Sequence, residues 1–159
     1  MSGSSKRVDP YRAFNFLITL IDSTSTLSAV VTSIQSAAQG GFSECSGLEM
    51  GMDIEEYKEG GNNGTVLRFP TRMKWTNLRL KRGMAVSQGL WLWHYGFTQG
   101  QVQRRDGLVI LQDEQQNPVQ TWSFKRGLPV KWTGPAFNAA QNAVAIEEIE
   151  IAHEGLELL

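Results

Sequence analysis

The chain has 159 residues, 41% apolar and 19% charged, which is enough length and apolar content for one folded domain with a sizeable core. Fifteen basic residues against 16 acidic ones leave a net charge of −1, which argues against a protein whose main business is gripping nucleic-acid phosphates. Cys45 is the only cysteine, so neither an intrachain disulfide nor a cysteine-based zinc site can be completed.

"MSGSSKRVDPY" lacks the apolar core of a signal peptide, and residues 1–10 read as a flexible leader. No stretch approaches a membrane span, so synthesis in the cytoplasm without membrane insertion is expected. "AFNFLITLI" alternates, with Phe14, Phe16, Ile18 and Leu20 on one parity, and predicts a first strand. Residues 22–40 follow, rich in Ser, Thr and Ala. Within them Leu27, Val30, Val31 and Ile34 have helical spacing after Ser25 or Thr26 as N-cap, but a strand in a long loop fits as well.

A strand is expected across Leu48–Lys58, with Met50, Met52 and Ile54 on one parity and Glu49, Asp53, Glu55 and Tyr57 on the other. The segment "EYKEGGNNGTV", residues 56–66, reads as a hairpin finger longer than a two-residue turn needs. "TVLRFP" returns, with Pro70 expected to end it. "WTNLRLKRG" predicts a strand with Leu78 and Leu80 inward, closed by Gly83.

In "SQGLWLWHYGF" the period changes: Leu90, Trp93, His94 and Phe97 fall at helical spacing behind Ser87 as N-cap. Trp91 then points away from Trp93, either as an anchor for an interface or as a second core layer. "GLVILQDE" and "VQTWSFKRG" read as strands around a turn at Asn117-Pro118, and "LPVKWTGP" as a separate extended piece. The last segment, "NAVAIEEIEIAHEGLELL", leans to helix on pattern alone. A strand reading needs a bulge to reconcile Val144 and Ile146 with Ile149 and Ile151.

Catalytic vocabulary is sparse. His94 and His153 lie inside predicted elements without H-x-x-x-H spacing, no G-x-S-x-G elbow accompanies them, and "EGGNNG" lacks the Lys-Ser/Thr of a phosphate loop. Cys45 reads as a small buried thiol, and Asp53, Glu55, Glu56 and Glu59 as a solvated acidic face. No catalytic residue, metal ligand or cofactor is expected. A monomeric barrel binding a small ligand near Trp91, Trp93 and Trp122 remains as an alternative.

The ordered series "GFSECSGLEMGMDIEEYKEGGNNGTVLRFP", "LRLKRG", "RRDGLVILQDEQQNPVQTWSFKRGLPVKWTGPAFNA" and "NAVAIEEIEIAHEGLELL" resembles the tail tube proteins of contractile injection systems, found in contractile phage tails and related phage-derived particles. The resemblance covers residues 10–15 and 40–159, and the hemolysin-coregulated protein of type VI secretion is a more distant relative. It implies a mainly β fold, a barrel or sandwich of two packed antiparallel sheets with one flanking helix, as one domain over 11–159 ending in strand. It implies hexameric rings that stack into a hollow tube inside a sheath. The partners would be other copies of the chain, sheath protein, baseplate and spike-hub proteins, tape-measure and cap proteins, with cargo or phage DNA in the lumen.

In such proteins the finger reaches out to neighbouring subunits and to the adjacent ring. That makes Glu56, Tyr57, Lys58, Glu59, Gly60, Gly61, Asn62, Asn63, Gly64 and Thr65 expected interface residues, joined by Trp91 and His94 on the helix. Residues 22–40 depart from the family pattern, where a short turn leads from the first strand to "GFSE". The departure raises a specialised first ring on the baseplate as a variant of the same role.

Overall fold

The computed structural model describes residues 13, 15–22, 41–61, 64–84 and 88–159. The leader, Phe14, the segment 23–40, Asn62, Asn63 and Ser87 lie outside them, and with them the expected helix or strand in "LSAVVTSIQSAA". The described residues form nine strands and one α-helix. The strands are β1 (Phe16–Asp22), β2 (Phe42–Ser46), β3 (Met50–Lys58), β4 (Val66–Trp75), β5 (Leu78–Gly83), β6 (Arg105–Gln112), β7 (Pro118–Thr133), β8 (Ile146–Ala152) and β9 (Gly155–Leu158). The helix, α1 (Gly89–Gly96), lies between β5 and β6.

Seven strands make one antiparallel sheet in the order β1-β6-β7-β8-β5-β2, with β9 also on β7. The sheet folds over at a corner in β7. The first part of β7 pairs with β6 and β9, and the part from Leu128 onward pairs with β8. Gly127 marks the corner. A Cβ there would stand 2.7 Å from the Arg105 carbonyl oxygen and 2.8 Å from the Phe124 ring, so only glycine fits without displacing its neighbours.

Both layers line the core: Ile18, Val109 and Phe124 from one, Leu78, Leu80, Ile149 and Ile151 from the other, with Leu90 and Trp93 of α1. Two packed layers and a flanking helix agree with the expected fold class. The closed barrel does not form. Among the described residues β1 and β2 share no ladder, and the sheet stays open between them.

Three local readings from pattern alone need correction, the last of them already set aside for strand by the resemblance. Pro70 does not end its strand; it sits inside β4, opposite Ile54. It is tolerated because β4 has one partner, β3, and because the ladder is bulged there. "LPVKWTGP" is no separate piece but the second half of β7. Pro129 fits because that half pairs only with β8 and carries a register shift beside it.

The C-terminal helical pattern also yields to strand, as β8 and β9, and no bulge interrupts the β5–β8 register from Ile146 to Ile151. The inward parity holds Glu147, Ile149 and Ile151, while Ile146 stays exposed. A buried glutamate takes the place where an apolar residue was sought.

Helix α1 has no side-chain N-cap; the cap position is Gln88. Packing holds it instead. Leu90 and Trp93 are buried, Trp93 Nε1 donates to the Gln103 carbonyl at 2.8 Å, and the Arg105 guanidinium lies 4.8 Å from the Trp93 ring.

Candidate assembly surface

The strands β3 and β4 form a sheet of their own, a two-stranded ribbon joined to the rest through β2 and β5. At its root, Gly47 has φ +91°, and a Cβ there would fall 2.1 Å from the Asn77 carbonyl oxygen. The Glu49 carboxylate accepts from the Thr76 hydroxyl at 3.3 Å, and Asn77 Nδ2 donates to Glu150 at 2.8 Å. The ring of His153 bridges the root to the β8–β9 turn, its Nε2 3.0 Å from the Thr76 carbonyl and its Nδ1 3.1 Å from that of Gly155. That histidine therefore faces backbone oxygens.

Beyond the root nothing among the described residues covers the ribbon. Met50 is 64% exposed, Ile54 59%, Tyr57 56% and Phe69 50%, with Met52, Val66, Leu67 and Met73 also exposed. So many large apolar side chains on one protruding element mark an interaction surface rather than chance exposure. Two ion pairs lie within the ribbon, Arg68 with Glu56 at 3.1 Å and Lys74 with Asp53 at 2.8 Å. Of the four acidic residues expected on a solvated face, Asp53 and Glu56 have these partners, while Glu55 and Glu59 are exposed.

The finger residues fall at the outer end as expected. Glu56 and Tyr57 pair across with Arg68 and Leu67, and Lys58 with Val66. Glu59, Gly60, Gly61, Gly64 and Thr65 are exposed at the tip, with Gly61 at φ +104°. Asn62 and Asn63 lie outside the described residues. The exposed apolar residues on both strands were missed as surface. Their alternation gave the strand, but a sequence does not show that a face is left uncovered.

Trp91 and His94 are on a different patch, because α1 rests on β7. Trp91 is 40% exposed, stacked on Tyr95 at 5.4 Å and edge-on to Trp132 at 4.8 Å, so it packs and still presents a surface beside exposed Leu92. His94 is half-buried in the last turn of the helix.

The three tryptophans considered for a ligand site are not brought together. Trp93 lies under the helix, Trp91 outside it, and Trp122 lines a cavity of about 300 Å³ between β1 and β2, with Phe16, Cys45, Leu48 and Val109. Burial pushes the Cys45 thiol up to about 11, away from a reactive thiolate. Among the described residues, no group of three His, Cys, Asp or Glu is placed to hold a metal. No helix among them is long and apolar enough to cross a membrane.

The family model for the T4-like virus tail tube protein gp19 matches residues 12–157. The chain belongs to this tail tube family. It is a structural tube subunit. Among solved structures, the tail tube chain is similar to a chain in the six-fold symmetrised baseplate of the anti-feeding prophage, with 22% identity, 96% of this chain and 97% of that chain covered, and a TM-score of 0.80.

A chain in the tube-terminating cap of that particle is 21% identical over 100% of this chain and 99% of that one, with a TM-score of 0.78. One in the extended sheath-tube complex of the PVC extracellular contractile injection system is 22% identical over 94% and 91%, with a TM-score of 0.76. These likenesses establish the shared fold. No protein of curated function matches the chain in sequence.

Proposed function

We propose that this tail tube subunit closes with five other copies into a ring, and that the rings stack into the hollow inner tube of a contractile injection particle. The supporting observation is the uncovered apolar ribbon, whose large side chains no described residue buries. Ring contact between unlike edges of the subunit is heterologous and closes; stacking is heterologous and does not, so the tube grows until another protein stops it. The sheath would surround this tube, baseplate and spike-hub proteins would start it, a tape-measure protein would set its length and a cap protein would end it. Cargo or DNA would pass through the lumen.

In this reading the part is architectural and non-enzymatic, and it works within an assembled phage tail or phage-tail-like particle. The finger residues Glu56–Thr65 are its contact to neighbouring copies, and Trp91 and His94 mark a second contact on the helix. A place in the first ring on the baseplate is the variant that residues 22–40 support. Replacing Gly60–Gly64 by a two-residue turn tests the role of the finger. A folded subunit that no longer stacks is the expected result, and normal tubes from that variant contradict it.

A further inference from the structure

The chain has five methionines, and apart from Met1, which lies outside the described residues, every one is exposed. The buried core is built from Leu, Ile, Val, Phe and Trp, with no methionine among them. Methionine ordinarily fills irregular gaps in a core, so this allotment points to a use at the surface. Three of the four described methionines share one face of one element. Met50 and Met52 alternate onto the same side of β3, and Met73 stands directly opposite Met52 on β4. The ladder is regular over these residues, and its register shift comes only after Met52.

Directly opposed residues in such a ladder have Cβ atoms about 5 Å apart, and alternate residues of one strand lie about 7 Å apart. The three thioethers therefore form one continuous patch. Met50 is 64% exposed, Met52 51% and Met73 47%, so each side chain is open to small solutes. A thioether sulfur is a nucleophile with no proton to lose, and hydrogen peroxide oxidises it directly. The sulfur lone pair attacks one peroxide oxygen and the O–O bond breaks. The hydroxide that leaves takes the proton of the transferred oxygen and becomes water. Sulfur is oxidised by two electrons, peroxide is reduced, and an apolar side chain becomes a polar sulfoxide.

We propose that the Met50–Met52–Met73 face is an oxidation site, at which peroxide converts the thioethers to sulfoxides and so holds the folded subunit out of assembly. The inference rests on the reading of the ribbon as an assembly surface. Each S–O group must shed its water before that surface can be buried, and burying polar groups without matched partners is costly. A thiol-dependent methionine sulfoxide reductase reverses the change, taking the oxygen off as water while two thiols become a disulfide.

The rest of the chain is arranged so that this patch responds first. No methionine supports the described core, so oxidation alters the surface and leaves the fold standing. The one thiol does not compete, because burial keeps Cys45 away from the reactive thiolate form. Once the ribbon is covered by assembly the same sulfurs are shielded, so the site acts on the unassembled pool.

The test treats the free, full-length subunit with dilute hydrogen peroxide, quenches it with free methionine, and follows assembly by light scattering. Peptide mass spectrometry is expected to find Met50, Met52 and Met73 each heavier by one oxygen, with an unchanged circular dichroism spectrum. The concentration needed for assembly should rise at least roughly tenfold and return to its starting value after the reductase. A chain carrying Met50→Leu, Met52→Leu and Met73→Leu keeps the side-chain volumes and should assemble equally well before and after peroxide. Met84→Leu should give no such protection. Undiminished assembly of the fully oxidised subunit, or equal peroxide sensitivity in the triple variant, overturns this inference alone. If the triple variant does not assemble by itself, the reductase decides on the Met84→Leu chain, and failure to recover counts against the proposal. An untreated chain that stays monomeric at every concentration overturns the tube reading, and this inference with it.

Discussion

Arg82 and Glu147 stand directly opposite each other across β5 and β8, with Nε 2.6 Å from Oε1, and both are almost fully buried. The second carboxylate oxygen accepts from Trp132 Nε1 at 3.0 Å, and the Arg82 guanidinium lies 6.0 Å from the Phe42 ring. The pair ties β5 and β8 to β7 and β2. Desolvating two charges offsets most of their attraction, so such a pair adds little net stability, but removing one partner leaves a buried charge alone.

Glu147→Gln is therefore expected to destabilise the subunit by about 3–5 kcal/mol, whereas Arg82→Met with Glu147→Leu should come close to the parent. Urea unfolding of both variants checks this. A double variant as damaged as the single one would show that the pair contributes more than mutual neutralisation.

Gly107 stands directly across from Phe124, and a Cβ there would lie 2.3 Å from the ring and 2.8 Å from the Thr19 carbonyl. The aromatic ring fills the space that the glycine leaves. Gly107→Ala is expected to cost about 1–3 kcal/mol through overpacking, measured as a lowered thermal midpoint.

Asp113 organises the β6–β7 turn. Its carboxylate accepts from the Asn117 side chain at 3.0 Å and from the backbone amides of Asn117 and Gln115 at 2.8 and 2.9 Å. These bonds, the Asn117 side chain first, hold its pKa below the ordinary 3.8. A depressed carboxylate stabilises the fold above its unfolded value, and that stability is lost as pH falls through the folded value. An NMR titration should show Asp113 titrating below free aspartate, with Asn117→Ala moving it back up. No change in that variant would mean the side-chain bond is not the main cause.

Cys45 should resist alkylation at pH 8 in the folded subunit and react at the rate of a free thiol in urea, since burial pushes it up to about 11. Equal rates in both states would show that the region between β1 and β2 opens readily.

The one-sided elements were legible in the sequence. Ile18 in β1, Leu78 and Leu80 in β5, and Leu90 and Trp93 in α1 all fall where their periodicity places them, because each element buries a single face. Continuity past punctuation was not legible. Pro70, Gly127 and Pro129 look like stops, yet the strands run through them where pairing is one-sided or the sheet turns its corner.

Glu147 hid strand β8 because its burial depends on Arg82, a residue 65 positions away. The C-terminal ending in strand came from the family resemblance rather than from pattern. The finger was found by its Gly and Asn, but the bulge in its ladder is a feature that pattern cannot place.

The central claim is that the folded subunit is made to assemble. Negative-stain electron microscopy of the purified, concentrated protein tests it most directly. The account predicts rings of six-fold projection and, at higher concentration, stacked tubes. Small featureless particles at every concentration, even with a baseplate template added, would contradict it.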